Sequence, residues 1–211
     1  MNAFQQASSV EALSMRVLAP FIEAKSFNGQ FVLTRKGRLA RELQRTVGDI
    51  LMNTDEETVT AVEVKAERKN KYRNLFLETW SNRSRFTLGW MYTLNTDLLL
   101  YHFIEDDQLW ICNFQKLKKW AFQQGAQHFP NLFKYPEREQ GQYDQLNDTW
   151  GRCVPIDALV KDIGMRLYRP STGEEDNAWT PSSPAQASFL EMMEVKAVPK
   201  KGTSWPVDTA A

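Results

Sequence analysis

The chain has 211 residues, with 26 basic and 26 acidic side chains and therefore no formal net charge. Hydrophobic residues make up 42 % and charged residues 25 %, a composition typical of a globular domain rather than a collagen, a coiled coil or a disordered chain. The zero balance excludes a protein that coats nucleic acid by bulk positive charge. A local basic surface remains compatible with it, because the field depends on where the charges lie.

Cysteine and histidine usage limits the metal and redox chemistry of the chain. Cys112 and Cys153 are too few for a disulfide framework or a zinc site, and His102 and His128 are too few for a histidine-rich metal centre. The N-terminal residues lack the basic-then-apolar pattern of a signal peptide, and no apolar stretch is long enough to span a bilayer. We therefore expect a cytoplasmic protein with no membrane contact.

The first elements of the chain are predicted from hydrophobic periodicity. Ser8 and Glu11 have the spacing of a capping box, and apolar residues then recur at a helical period, which predicts a helix over residues 9–24. A short strand over residues 30–33 and a short basic helix over residues 37–44 follow. The first part of the chain is thus predicted to be a helix that leads into a sheet.

A β-hairpin is predicted next, from two strand-like segments joined by a polar turn. Residues 46–53 and 58–66 are the two strands, and residues 74–80 form a third strand that follows them. Residues 97–104 are almost continuously apolar, as in a central buried strand. Further along we predict a strand over 109–114, a helix over 115–124, a strand over 152–156 and a helix over 157–163, with 125–149 as a loop.

The composition changes at Pro170, and five of the nine prolines lie from this residue onward. We predict a single α/β domain over residues 1–169 and an extended, Pro-rich C-terminal tail over residues 170–211, with a short docking helix over residues 188–195. No internal repeat is present in the sequence.

The residues that carry chemistry lie on the predicted hairpin. In a strand, residues two apart point to the same face, so Glu63 and Lys65 share one face while Val62 and Val64 are buried on the other. Asp49, on the partner strand, can reach the same face as Glu63. The hairpin therefore predicts two carboxylates and one ammonium that converge at the edge of a sheet.

Two carboxylates beside a lysine suit phosphodiester hydrolysis. Mg²⁺ prefers oxygen ligands, usually one or two carboxylates together with waters and a substrate phosphate. A lysine next to the metal can orient or deprotonate a water and neutralise the charge that develops on the phosphate.

This pattern resembles the PD-(D/E)XK nuclease superfamily, which includes restriction enzymes, junction resolvases and phage nucleases. The resemblance rests on Gly48-Asp49-Ile50 and on Glu63-Val64-Lys65. It implies that Asp49, Glu63 and the main-chain carbonyl of Val64 bind the metal and that Lys65 positions the attacking water. Glycine stands at position 48, where the proline that names the motif is expected.

The resemblance covers about residues 8–125 and carries further implications. The fold would be restriction-endonuclease-like, with a mixed central sheet flanked by helices. The function would be that of a DNA endonuclease dependent on Mg²⁺ (or Mn²⁺), working in a bacterial or phage-infected cell. Such enzymes are often dimers when they cut both strands, which leaves a homodimer open.

Other acidic residues are candidates for completing the site. Glu78 stands near the end of the third predicted strand and is a candidate catalytic residue, with a partner for Lys65 as the alternative role. The resemblance implies an additional acid on an early helix, which either Glu23 or Glu42 could supply. Glu11 is interpreted as a helix cap.

Basic residues after the hairpin are candidates for contacting the DNA backbone, with a solvated charged loop as the alternative. Trp80, Trp90 and Tyr92 could stack on bases, although core packing is favoured for all three. The predicted phosphate contacts are Arg68, Lys69, Lys71, Arg73, Arg83 and Arg85.

Two other interpretations of the sequence stay open. In the first, the same fold is catalytically inactive and binds DNA or a protein partner. In the second, the motif is accidental and the chain is an unrelated α/β interaction protein. An isolated Glu-x-Lys has little meaning: a second copy at Glu194-Val195-Lys196, in the tail, has no acidic strand before it and is assigned no role.

Overall fold

The computed structural model describes residues 3–26, 30–32, 38–53, 58–122, 130–140 and 148–176. These residues form a mixed α/β fold in which helices are interspersed among runs of strands. In chain order the elements are α1 (Ala3–Lys25), β1 (Gln30–Val32), α2 (Arg38–Val47), β2 (Ile50–Asn53), β3 (Val59–Glu67), β4 (Asn74–Asn82), β5 (Thr87–Leu88), α3 (Trp90–Thr93), β6 (Leu98–Phe103), β7 (Gln108–Asn113), α4 (Phe114–Phe122), β8 (Glu137–Glu139), β9 (Trp150–Pro155), α5 (Ile156–Ile163), β10 (Arg166–Arg169) and β11 (Glu174–Asp176).

The described strands belong to two sheets. The larger has seven strands in the order β1-β2-β3-β6-β7-β10-β11, and the smaller has four in the order β5-β4-β9-β8. In the larger sheet β3 and β6 are parallel, and the other neighbours are antiparallel. The larger sheet is therefore mixed, as the sequence predicts.

Side-chain alternation on β3 assigns its two faces to different layers. Val62 and Val64 are buried against helix α1, where Leu18 and Ile22 pack. The opposite face of the sheet packs against the smaller sheet: the Tyr101 hydroxyl donates to Glu67 and accepts a hydrogen bond from the Phe76 N–H of β4. Glu63 and Lys65 have the same parity as Glu67, so they point into the layer between the sheets.

The predicted hairpin is confirmed by the antiparallel pairing of β2 with β3. The predicted starts of the first helix and of the first hairpin strand are wrong. Helix α1 begins at Ala3, so Ser8 and Glu11 lie inside it and do not form a capping box. Thr46 and Val47 belong to helix α2, which shortens the first strand of the hairpin to Ile50–Asn53.

The third predicted strand is real, but it belongs to the other sheet. β4 pairs with β5 and β9, whereas the second neighbour of β3 is the parallel strand β6. All six residues of β6 are buried, which suits a strand covered on both faces. Burial along β4 alternates, and its Leu75 and Leu77 pack into one hydrophobic cluster with Tyr101 and Phe103.

The larger sheet continues past the predicted start of the tail. β11 pairs with β10, so the sheet reaches Asp176 and a boundary at residue 170 falls inside it. The segment 125–149, predicted to be a loop, contains β8. The predicted helix over residues 188–195 and the second Glu-x-Lys lie outside the described residues.

Gly48 is required by the turn that leads from α2 into the hairpin. Its φ of +115° is unfavourable for any residue with a Cβ, and a Cβ there would lie 2.7 Å from the Val62 carbonyl oxygen. This conformation also excludes proline, whose φ is fixed near −65°. The glycine that stands in place of the motif proline is therefore a requirement of the local backbone.

We expect Gly48→Ala to destabilise the fold by about 3 kcal/mol or more, because backbone strain and a main-chain clash add together. Gly173→Ala is a matched control: Gly173 also has a positive φ, of +74°, but a Cβ there would come no closer than 3.7 Å to the Tyr168 hydroxyl. It should cost only about 1–2 kcal/mol. Urea unfolding of both variants checks the difference, and equal losses would contradict the steric argument.

Candidate active site

A pocket of about 410 Å³ lies where the β2–β3 hairpin meets the smaller sheet. Four of its lining residues are the predicted catalytic residues Asp49, Glu63, Lys65 and Glu78. The structure therefore brings together three charged side chains of one sheet and a fourth from the other. The remaining lining residues are Gln44, Arg45, Ser81, Thr87, Leu88, Trp90, Thr93 and Leu94.

Asp49 is held at the start of β2 by the backbone of β3. The register that pairs Ile50 with Val62 places Asp49 opposite Glu63. The Asp49 N–H donates to the Val62 carbonyl at 2.9 Å, and its Oδ2 accepts the Val64 N–H at 3.0 Å. The Asp49 carboxylate thus continues the strand ladder at the point where the chain turns away at Gly48.

The second oxygen of Asp49 accepts a hydrogen bond from the side chain of Gln44 on α2. The Gln44 Nε2 to Asp49 Oδ1 distance is 2.5 Å, and the Asp49 side chain is buried. Two fixed donors therefore orient this carboxylate before any ligand binds. Such preorganisation is expected of a side chain that must hold one geometry.

Glu63 and Lys65 form an ion pair inside the pocket. The Lys65 Nζ to Glu63 Oε1 distance is 2.5 Å. Glu63 is only 4 % exposed, whereas the Lys65 side chain is 31 % exposed. The Lys65 ammonium also lies 5.7 Å from the centre of the Trp90 ring. The carboxylate is therefore enclosed, while the lysine reaches the open side of the pocket.

The shared environment changes the protonation of both groups. Burial raises the pKa of Glu63 to about 7; Lys65 opposes this shift, and the charges of Asp49 and Glu11 add to it. Burial acts to lower the pKa of Lys65, but the Glu63 and Asp49 carboxylates outweigh it and hold that pKa above its usual value. Lys65 is consequently a fixed cation at neutral pH, whereas Glu63 is poised between its two forms.

Glu78 reaches the same pocket from β4, in the smaller sheet. Its Oε1 accepts the Trp90 N–H at 3.3 Å, and burial raises its pKa while Lys65 and this hydrogen bond oppose the shift. Gly89 makes room for it, since a Cβ at Gly89 would lie 2.8 Å from Glu78 Cγ. Glu78 therefore faces Lys65 across the pocket, from the opposite sheet.

The pocket contains oxygen donors of the kind that a divalent cation requires. Asp49 and Glu63 offer two buried carboxylates whose charges interact, and hard oxygen donors of this kind suit Mg²⁺. Among the described residues, no group of three or more His, Cys, Asp or Glu side chains is arranged around one metal position. The residues thus fit a cation that keeps most of its waters and do not fit a cage made wholly of protein.

Several pocket residues were not found by sequence reasoning. Gln44 and Arg45 lie on the last turns of α2, and their only sequence signal is their position just before Gly48-Asp49. Trp90, for which core packing was favoured, is buried but also lines the pocket.

None of the acids considered on the first two helices lines the pocket. Glu23 and Glu42 are exposed and do not line the pocket. Glu11, inside α1, contributes to the raised pKa of Glu63, so its charge reaches the site. The capping interpretation is wrong because α1 starts two turns earlier than the pattern indicated.

The six basic residues predicted to contact DNA form two separate groups. Arg68 and Lys69 pair with Glu105, Arg73 pairs with Asp157, and Lys71 lies over the Tyr72 ring. These four belong to the β3–β4 connection, which contributes no residue to the pocket. Arg83 and Arg85 lie at the other end of β4, in the turn to β5, next to Ser81 and Thr87 of the pocket.

Three buried or hydrogen-bonded polar residues have structural positions away from the pocket. The Asp97 carboxylate accepts the Ala61 N–H at 2.8 Å. His102 is buried on the α1 face, where its Nδ1 lies 2.9 Å from the Ser14 hydroxyl, and burial lowers its pKa to about 4. Cys112 is buried in the core, which raises the pKa of its thiol to about 12. None of these residues lines the pocket.

The chain matches no family model, and neither the curated proteins nor the solved structures contain a significant match to it. The pocket itself is therefore the feature from which a function can be proposed. In the part of the chain that the structure describes, no helix has the length and apolarity needed to cross a membrane.

Proposed function

We propose that the protein is a DNA endonuclease of the PD-(D/E)XK type that hydrolyses phosphodiester bonds with Mg²⁺ or Mn²⁺. The observation that carries the proposal is the convergence of Asp49, Glu63, Lys65 and Glu78 in one pocket, with Asp49 opposite Glu63 in the hairpin register. Cooperation of these side chains at one centre is what a hydrolytic site requires.

Each side chain has a distinct role in this proposal. Asp49, Glu63 and the main-chain carbonyl of Val64 would hold the cation, which when bound supplies charge neutralisation at the phosphate. Lys65, a permanent cation, orients the attacking water and stabilises the negative charge that develops on the phosphoryl oxygens. Glu78 faces the Lys65 ammonium from the opposite sheet and would accept a proton of that water.

We expect the purified protein to cut DNA in the presence of Mg²⁺ or Mn²⁺ and to stop when the metal is chelated. Plasmid, linear and branched DNA should be tested in parallel, and gel electrophoresis gives the readout. Asp49→Asn keeps the size of the side chain but removes a ligand charge, and it should reduce cleavage by at least about 100-fold. Failure of all three substrates to be cut would contradict the proposal.

A second function, in which the protein binds DNA or a protein partner without catalysis, is favoured by one observation. Both oxygens of Asp49 already accept hydrogen bonds, and Glu63 is paired with Lys65, so each of these carboxylates has a partner without a metal. Calorimetric titration with Mn²⁺ separates the two functions. Binding that is lost in Asp49→Asn supports the nuclease, and no heat of binding supports the inactive module.

A further inference from the structure

The turn between β4 and β5 presents an unusual aromatic residue beside the pocket. Phe86 is 82 % exposed, and its φ of +53° lies in the left-handed region that a bulky side chain seldom adopts. Exposure of a large apolar ring and a strained backbone at one residue both cost stability. Strain of this kind persists where the surroundings enforce it, and such positions are concentrated at functional sites.

The surroundings of Phe86 do enforce this conformation. Asp148, two residues before β9, anchors the turn: its carboxylate accepts hydrogen bonds from the Ser84 N–H and hydroxyl and from Trp150 Nε1, and its carbonyl accepts the Arg83 N–H at 2.8 Å. The Phe86 N–H closes the turn on the Arg83 carbonyl at 3.0 Å. The ring is therefore displayed by a fixed turn.

The position of this turn connects it to the pocket. Thr87 and Leu88, which follow Phe86, both line the pocket, and so does Ser81 on the opposite strand of the turn. Arg83 and Arg85 precede Phe86 in the same turn; Arg83 stacks over Trp150 at 4.4 Å and pairs with Glu137 at 3.3 Å. The turn therefore carries an exposed aromatic ring for stacking together with basic side chains that can contact the phosphates of a nucleic acid.

We propose that Phe86 stacks on an unpaired base of the DNA strand bound in the pocket and so gives the protein a preference for DNA with a single-stranded portion beside a duplex. This inference rests on the proposed function, since it takes the pocket as the place where the DNA strand lies. Bases inside a duplex have their faces covered by neighbours, whereas an unpaired base has a free face for the ring. Phe86 is thus a specificity-determining residue, separate from the catalytic group.

The test uses binding without metal, so that it does not depend on cleavage. A forked DNA carries 2-aminopurine as the first unpaired base, and its fluorescence is quenched when an aromatic ring stacks on it. We expect wild-type protein to quench it and to bind the fork about 5- to 100-fold more tightly than a blunt duplex, the range expected for stacking of one base. Phe86→Ala should lose both effects, and Phe86→Trp should retain them.

Two further variants keep the test decisive. Phe86→Asn lacks the aromatic ring but tolerates a left-handed backbone, so a loss in this variant cannot be attributed to a collapsed turn. Tyr72→Ala removes an aromatic side chain that is 71 % exposed at the far end of β4, and it should behave as wild type. Equal fork preference in wild type and Phe86→Asn, or no DNA binding by wild type, would overturn the inference.

Failure of the proposed function gives a different result. If the wild type quenches the fork probe without metal but cuts no DNA with Mg²⁺, the nuclease proposal is wrong and the stacking role of Phe86 stands. If it cuts DNA but shows no dependence on Phe86 in either binding or quenching, the nuclease proposal stands and the inference is overturned.

Discussion

Lys65→Ala is expected to slow DNA cleavage by about 100- to 1000-fold, the loss seen when one preorganised electrostatic donor is removed from an active site. The reason is local: Lys65 is held by Glu63 at 2.5 Å, faces Glu78, and remains charged at neutral pH. No other cation among the pocket-lining residues is paired with the buried carboxylates, since the remaining one, Arg45, lies on the exposed surface of α2. Single-turnover cleavage at saturating metal measures the effect.

The control for this substitution is Lys161→Ala, which removes an exposed lysine on α5 and should leave the cleavage rate unchanged. Lys65→Arg keeps the charge but replaces a compact ammonium with a planar group, and we expect it to recover only part of the rate. Cleavage by Lys65→Ala at the wild-type rate, with the fold intact by circular dichroism, would remove Lys65 from the mechanism.

The hairpin half of the site was predictable because it is local. Strand alternation alone places Glu63 and Lys65 on one face, and the polar sequence of residues 54–57 predicts that the preceding strand is the hairpin partner. Once β2 and β3 pair, Asp49 falls opposite Glu63. Three of the four predicted catalytic residues thus follow from a segment of fewer than twenty residues.

The position of Glu78 relative to the other three residues could not be predicted from local strand alternation. Glu78 reaches the pocket because β4 belongs to the smaller sheet. There it pairs with β9, which lies about seventy residues further along the chain. That pairing depends on Gly151, opposite Glu78, where a Cβ would lie 2.7 Å from the Leu77 carbonyl oxygen. Pairing between strands so far apart in the chain leaves no periodic signal in the local sequence.

The predicted helix boundaries were wrong for a related reason. The pattern that predicted a cap at Ser8 is a local one, whereas the helix continues to Ala3. The Val47 end of α2 is set by the conformation of Gly48 rather than by the β propensity of the residues before it. Tertiary context therefore overrode local preference at both ends of the segment that leads to the site.

The protonation of the buried Glu63 carboxylate links the stability of the fold to the proposed metal binding. In the metal-free protein, burial holds the pKa of Glu63 near 7, well above its value of 4.5 in an unfolded chain. Over that interval the folded protein binds a proton that the unfolded protein has released, so the contribution of Glu63 to stability falls as the pH rises. Ionised Glu63 is a cost to the fold that a bound cation would offset.

Glu63→Gln should consequently stabilise the metal-free protein at high pH while it removes metal binding. Between pH 5 and pH 8 its free energy of unfolding should improve by about 2–3 kcal/mol relative to wild type, since one pKa unit corresponds to about 1.4 kcal/mol. His102, with a pKa lowered to about 4, contributes an opposite slope below pH 6.5, but it is present in both proteins and cancels in the difference. In this variant the Lys65 ammonium still interacts with the charges of Asp49 and Glu78.

The measurements are urea unfolding in chelator at the two pH values and Mn²⁺ titration at pH 8. We expect Mn²⁺ affinity to fall by at least about 100-fold in Glu63→Gln, because a buried ligand charge is lost. Glu23→Gln, which changes an exposed acid on α1, should alter neither quantity. A variant that is stabilised at pH 8 and still binds Mn²⁺ would show that Glu63 is a buried acid with no part in metal binding. A Glu63→Gln variant with no gain in stability between the two pH values would show that Glu63 is ionised throughout, held by Lys65 as a structural ion pair.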